Sequence, residues 1–91
     1  MNIFDLVMNN DFAGIRNNAW NEDTLNMRDD NGMTPLMLAA KSGFDQVVTA
    51  LKEKGADVHI TDNSGRRAVD YAALHGQGLI ILLLVEGGCG G

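Results

Sequence analysis

The stretch Asp29-Asp30-Asn31-Gly32-Met33-Thr34-Pro35-Leu36-Met37-Leu38-Ala39-Ala40-Lys41-Ser42-Gly43 holds a turn, a helix start and a helix stop in immediate succession. Asn31-Gly32 is a turn dipeptide, because glycine takes a positive φ without the steric cost that a Cβ imposes. Thr34-Pro35 reads as an N-cap followed by proline at the first helical position, where the missing N–H is no loss. A short helix then runs from about Pro35 to Lys41, and Gly43 ends it in a left-handed cap. Beyond it Val47, Val48 and Leu51 mark one face of a second helix, which Gly55 closes. The unit is therefore loop, helix, turn, helix, loop.

This unit recurs at a shift of 33 residues, which superposes Asp29 on Asp62, Gly32 on Gly65, Leu36 on Val69, Ala39-Ala40 on Ala72-Ala73, Gly43 on Gly76, Leu51 on Leu84 and Gly55 on Gly88. A fixed period of this length signals stacked supersecondary units, each too small to bury its apolar face alone. Moving back by the same shift, Asp23 to Asp29 resembles Ala56 to Asp62, so the N-terminal residues form a degenerate first copy. The expected copies span about 1–28, 29–61 and 62–91 of one domain. Their helix pairs are predicted at Ile3 to Met8 with Phe12 to Asn17, and at Arg67 to Leu74 with Gln77 to Glu86. The predicted core is Leu36, Val47, Val48, Leu51, Val69, Ile80, Ile81 and Leu84. Trp20 is expected to pack over its N-terminal end.

Asp29 to Gly43, followed by Leu51-Lys52-Glu53-Lys54-Gly55-Ala56-Asp57-Val58, resembles an ankyrin repeat almost end to end. The resemblance extends over about residues 3 to 91 and implies an all-α solenoid of stacked helix-turn-helix units with hairpin-like loops. Two positions depart from the family pattern. Met37 stands where the family usually has a histidine that bonds neighbouring loops, which predicts less rigid loops. Arg67 replaces a hydroxyl cap, so the first helix of the last copy is expected to fray at its start.

Composition narrows the function classes. The 91 residues carry seven Lys plus Arg against twelve Asp plus Glu, a net charge of −5, so the cationic excess that drives nucleic-acid or anionic-membrane binding is missing. The longest apolar run, Leu79 to Val85, has seven residues, against about 20 for a membrane-spanning helix. A single cysteine forms no internal disulfide, and Met1-Asn2-Ile3-Phe4-Asp5 lacks the basic and apolar regions of a secretory signal. The expected location is cytoplasmic.

The residues assemble no recognisable catalytic or metal-binding constellation, so no enzymatic activity, metal or cofactor is expected. His59 and His75 are not paired at ligand spacing. Asp29-Asp30-Asn31-Gly32 has Met27 where a calcium loop needs its first acid. Gly76-Gln77-Gly78 fits no phosphate loop. Gly87-Gly88-Cys89-Gly90-Gly91 admits three readings, a frayed helix cap, an artificial end of the chain, or a tail that serves as a modification or conjugation substrate of a folded carrier domain.

The family resemblance implies a non-catalytic protein–protein interaction module, an adaptor or inhibitor, that meets its partner through loop tips and the inner face of the first helices. Carried over position by position, those contacts are Arg28, Asp30, Asn31, Met33, Lys41 and Ser42 in the clear copy. In the last copy they are Thr61, Asn63, Ser64, Arg66, Leu74 and His75, with Arg66 the leading anchor. A separate signal comes from the residues themselves. Where the middle copy's second helix has Gln46 and Thr49, the last has Leu79 and Leu82, although terminal repeats normally turn polar outside. That stripe is covered by the C-terminal segment, a second copy of the chain or a partner, or else belongs to a fragment of a longer array.

Overall fold

The computed structural model describes residues 3–89, the side chains of residues 86–89 excepted; the Cys89 thiol and the closing glycines considered above lie outside the described residues. Among the described residues seven helices follow in order: α1 (Ile3–Met8), α2 (Phe12–Asn17), α3 (Glu22–Leu25), α4 (Pro35–Ser42), α5 (Asp45–Glu53), α6 (Ala68–Leu74) and α7 (Gly78–Cys89). The described residues contain no strand.

Three helix pairs stack into two layers. One row is α1, α4 and α6, each packed on the next, and the other is α2, α5 and α7. Between the rows lies one apolar cluster that runs from Ile3, Leu6 and Ile15 through Leu36, Met37, Val47, Val48 and Leu51 to Ile80 and Leu84. Burying each large aliphatic side chain contributes about 1.5–3 kcal/mol, and no pair has enough of them to stand alone. Val69 and Ile81, predicted as core, are only partly buried. They sit in the last pair, on which no further helix pair is stacked among the described residues.

The caps explain where the helices start. Thr34 Oγ1 accepts from the Met37 amide at 3.3 Å with Pro35 in the first turn, as predicted. Asp11 and Asn21 do the same for α2 and α3, accepting from Gly14 N at 3.0 Å and Thr24 N at 2.8 Å. The helix α3 was not anticipated, although Asn21 followed by Glu22 and Asp23 carries its start signal. At α6 the missing hydroxyl is replaced from within the helix. Asp70 Oδ2 accepts the Arg67 amide at 2.9 Å and lies 3.7 Å from Arg67 Nε, which holds the end expected to fray.

The turn inside each pair shows the repeat in backbone angles. Asn10, Gly43 and Gly76, spaced by the 33-residue period, all have positive φ, at 55°, 79° and 66°. Asparagine is the other residue that visits this region readily, which is how the degenerate first copy keeps the turn without glycine. Trp20 is half-buried against the core and its Nε1 donates to the Ile15 carbonyl at 2.8 Å, closing the chain over the end of α2.

Candidate partner-binding surface

The loops before α4 and α6 are built alike. Asp29 Oδ1 accepts the amides of Asn31 and Met33, both at 2.9 Å. Asp62 Oδ1 accepts those of Ser64 at 2.8 Å and Arg66 at 3.0 Å. A carboxylate that collects two amides in this way closes the turn around itself. Gly32 and Gly65 complete the turns at φ 78° and 80°.

The two loops are also bonded to each other. The Asn63 amide donates to the Asn31 carbonyl at 3.1 Å, and Asn63 Nδ2 donates to the Asp30 carbonyl at 3.2 Å. Arg28 donates from Nε to the Gly32 carbonyl at 3.0 Å and from Nη2 to the Thr61 carbonyl at 3.1 Å. Asn26 Oδ1 accepts the Asp57 amide at 2.9 Å. Met37 is buried in the core, so these bonds, rather than a histidine at that position, join neighbouring loops.

The residues assigned to the partner face thus fall into groups. Asp30, Asn31, Thr61, Ser64 and Arg66 are exposed along the loop row, and Lys41, Ser42, Leu74 and His75 are exposed at the far ends of α4 and α6. Arg28 and Asn63 are exposed as well, but their polar atoms hold the loops together. Met33 is the correction. It is 5% exposed and packed in the core, because the next helix pair stacks on its copy, so its side chain is not part of the accessible surface.

Tyr71 escaped the sequence reading. Buried on α6 where the middle copy has Leu38, it donates its hydroxyl to Asp62 Oδ2. The Arg66 guanidinium lies over the Tyr71 ring, 5.9 Å from its centroid. The Tyr71 hydroxyl, with the Arg66 amide next, holds the Asp62 carboxyl below the usual carboxylate range, while the Asp62 hydrogen bond, followed by burial, pushes the Tyr71 hydroxyl up. An aromatic at one copy's Leu38 position, within reach of a turn carboxylate, was the available signal. Beside Arg66 a hollow of about 390 Å³ is lined by Arg66, Asp70, Ala73 and Leu74.

On α7, Leu79 and Leu82 are 57% and 58% exposed, and Val85, not singled out before, continues the stripe at 50%. The corresponding residues of α5 are Gln46, Thr49 and Lys52.

The family model for ankyrin repeats, three copies, matches residues 3–90. The chain belongs to the ankyrin-repeat family. Ankyrin repeats generally mediate protein–protein interaction, and the family is typically non-catalytic. Among similar proteins, the human transient receptor potential cation channel subfamily A member 1 is 48% identical over 52 residues, 57% of this chain and 5% of the channel. Human Rabankyrin-5 is 44% identical over 56 residues, 62% of this chain and 5% of that protein. The human NAD-capped RNA hydrolase NUDT12 is 42% identical over 60 residues, 66% of this chain and 13% of the hydrolase. The ankyrin chain thus spans a small part of each relative's length. Among its described residues no group of three His, Cys, Asp or Glu side chains is placed to hold a metal ion, and no helix is long and apolar enough to cross a membrane.

Proposed function

We propose that this ankyrin-repeat chain is a non-catalytic binding module that captures a partner protein on its loop row and the adjoining ends of α4 and α6, acting as an adaptor or inhibitor by tethering or occlusion in the cytoplasm. The observation that carries the reading is the cross-bonded pair of loops. Asn63 and Arg28 tie the 28–33 segment to the 61–66 segment, so Asp30, Asn31, Thr61, Ser64 and Arg66 are displayed on a framework that loses little freedom on binding. A small surface of this kind depends on a few anchors, and arginine with an exposed aliphatic neighbour fits that need.

Affinity capture from a lysate of the source organism tests it, with wild type set against Arg66→Glu plus Leu74→Asp, both positions being exposed and therefore replaceable without disturbing the core. One stoichiometric protein bound by wild type and lost by the variant, with helicity unchanged, supports the module. Equal capture by both moves the contact off this face.

A second contact is proposed for the Leu79, Leu82 and Val85 stripe, which supports pairing of two copies through α7. A helix that is apolar on every side is normally covered. Sedimentation over a concentration series, with Leu79→Lys plus Leu82→Glu as control, tests that pairing.

A further inference from the structure

We infer that the hollow beside Arg66 seats a carboxylate side chain of the partner, with an apolar residue next to it lying on Leu74. The inference rests on the interaction reading above and names the chemistry of what is bound.

The argument starts from charge. The chain is acidic, yet no carboxylate lies within ion-pair distance of Arg66 among the described residues; the pair found is Arg67 with Asp70 at 3.7 Å, and Arg28 is engaged by backbone carbonyls. Arg66 is also held in position. Its guanidinium rests over the Tyr71 ring, the Tyr71 hydroxyl is bonded to Asp62, and the other oxygen of Asp62 accepts the Arg66 amide at 3.0 Å. The backbone of Arg66 and the ring beneath its guanidinium are thus bonded to one carboxylate, which lowers the ordering cost of using that cation in a complex.

The register of the repeat shows what kind of surface this is. One period earlier, Arg66, Asp70 and Ala73 correspond to Met33, Met37 and Ala40, all buried where α6 packs along α4. The hollow is therefore a helix seat of the stack, uncovered among the described residues, with a cation where the covered seat has methionine. An apolar occupant would desolvate Arg66 while, among the described residues, no carboxylate lies within ion-pair distance of it and the Asp62 charge acts on it only from farther off, which is unfavourable. A carboxylate supplies a counter-charge and matches the planar fork of a guanidinium in bidentate geometry. Asp70 on the rim and Asp62 behind Tyr71 repel a dianion more strongly than a singly charged carboxylate, so the seat favours a carboxylate over a phosphate ester. Leu74, 60% exposed at the edge, receives the apolar neighbour.

The test titrates the isotope-labelled full chain with four capped peptides, Ala-Glu-Leu-Ala and its analogues with Gln, Lys or phosphoserine in place of Glu. Shifts of the Arg66 Nε–H and the Leu74 methyl resonances report the seat. The Glu peptide is expected to saturate these shifts with an affinity about tenfold above the Gln peptide, and the Lys peptide to leave them unmoved. Arg66→Gln is expected to abolish the shift of the Leu74 methyls, the resonances still present in both variants, and Arg66→Lys to weaken the binding they report several-fold, since an ammonium keeps the charge but not the fork. The backbone spectrum of each variant verifies its fold. Equal binding of the Glu and Gln peptides, tighter binding of the phosphoserine peptide, or no saturable shift up to about 10 mM overturns the inference. Concentration-dependent movement of the same resonances without peptide also overturns it, because a second copy then fills the seat. Lysate capture separates the two levels. A partner retained while the Glu peptide fails removes the carboxylate seat alone, and a chain that captures nothing removes the interaction reading.

Discussion

The backbone amide of Asn63 donates to the carbonyl of Asn31 at 3.1 Å, across two loop tips one repeat apart. This bond sets how closely the loops approach, and Gly32 lies at the point of closest approach. A Cβ on Gly32 would stand 2.8 Å from the Asn63 backbone nitrogen, whereas one on Gly65, with nearly the same φ, would meet nothing within 4 Å.

The two glycines therefore separate backbone strain from crowding. Gly65→Ala is expected to destabilise by about 1–2 kcal/mol, the cost of a left-handed alanine. Gly32→Ala is expected to cost at least twice as much, because the Asn63 backbone must also move. Urea unfolding followed by circular dichroism measures both; equal losses would show that the loops do not constrain each other.

The caps yield a pair of opposite sign. Thr34→Ala removes the oxygen that accepts the Met37 amide and is expected to cost about 1 kcal/mol. Arg67→Ser places a hydroxyl at the start of α6 while Asp70 still accepts the residue 67 amide, and is expected to gain about 0.5–1 kcal/mol. The exposed Arg67–Asp70 pair it removes is worth little. A lower melting temperature for Arg67→Ser would show that this pair matters more than the cap.

Asp62 and Tyr71 set the pH window. The folded state holds the Asp62 carboxyl below its unfolded value, so its contribution is complete above the ordinary carboxylate range and is lost as pH falls below about 4 through the depressed value. Tyr71 is raised, so its contribution is complete below about pH 10 and is lost as pH rises through the elevated value. Tyr71→Phe is expected to move the acid unfolding midpoint to higher pH and to remove the alkaline loss due to this group. A pH series of thermal melts on both proteins checks each limb, and superimposable acid limbs would exclude the hydrogen bond as the cause.

Position in the stack should grade the core. Leu36→Ala opens a cavity in the buried centre and is expected to cost about 2–5 kcal/mol. Val69→Ala, one period later in the partly buried last pair, is expected to cost less than half as much. Similar losses in denaturant melts would mean that the last pair is as well covered as the middle one.

Much of this architecture was legible in the chain because it is local. Asn31-Gly32, Thr34-Pro35 and Gly43 announce their turn, cap and stop through covalent geometry alone, and their return after 33 residues announces the stack. The first copy was placed by period even though Asn10 stands in for glycine. The short α3 went unread because a single turn leaves too little periodicity to detect, despite its Asn21 cap.

The candidate surface was less legible, since exposure and pairing depend on residues far apart in sequence. Met33 and Arg66 hold the same register, yet Met33 is enclosed because another helix pair stacks on its copy, while among the described residues none stacks on that of Arg66. Arg28 and Asn63 look like contact residues in the chain and are loop fasteners in the fold. Tyr71 acquires its role only when α6 packs and brings its hydroxyl to Asp62. The sequence by itself determined the repeat, its helices and its turns, because each is decided by the steric and hydrogen-bonding preferences of a few neighbouring residues. Tertiary structure decided which side chains face solvent and which carboxylate meets which donor, because burial and long-range hydrogen bonds exist only after the copies stack.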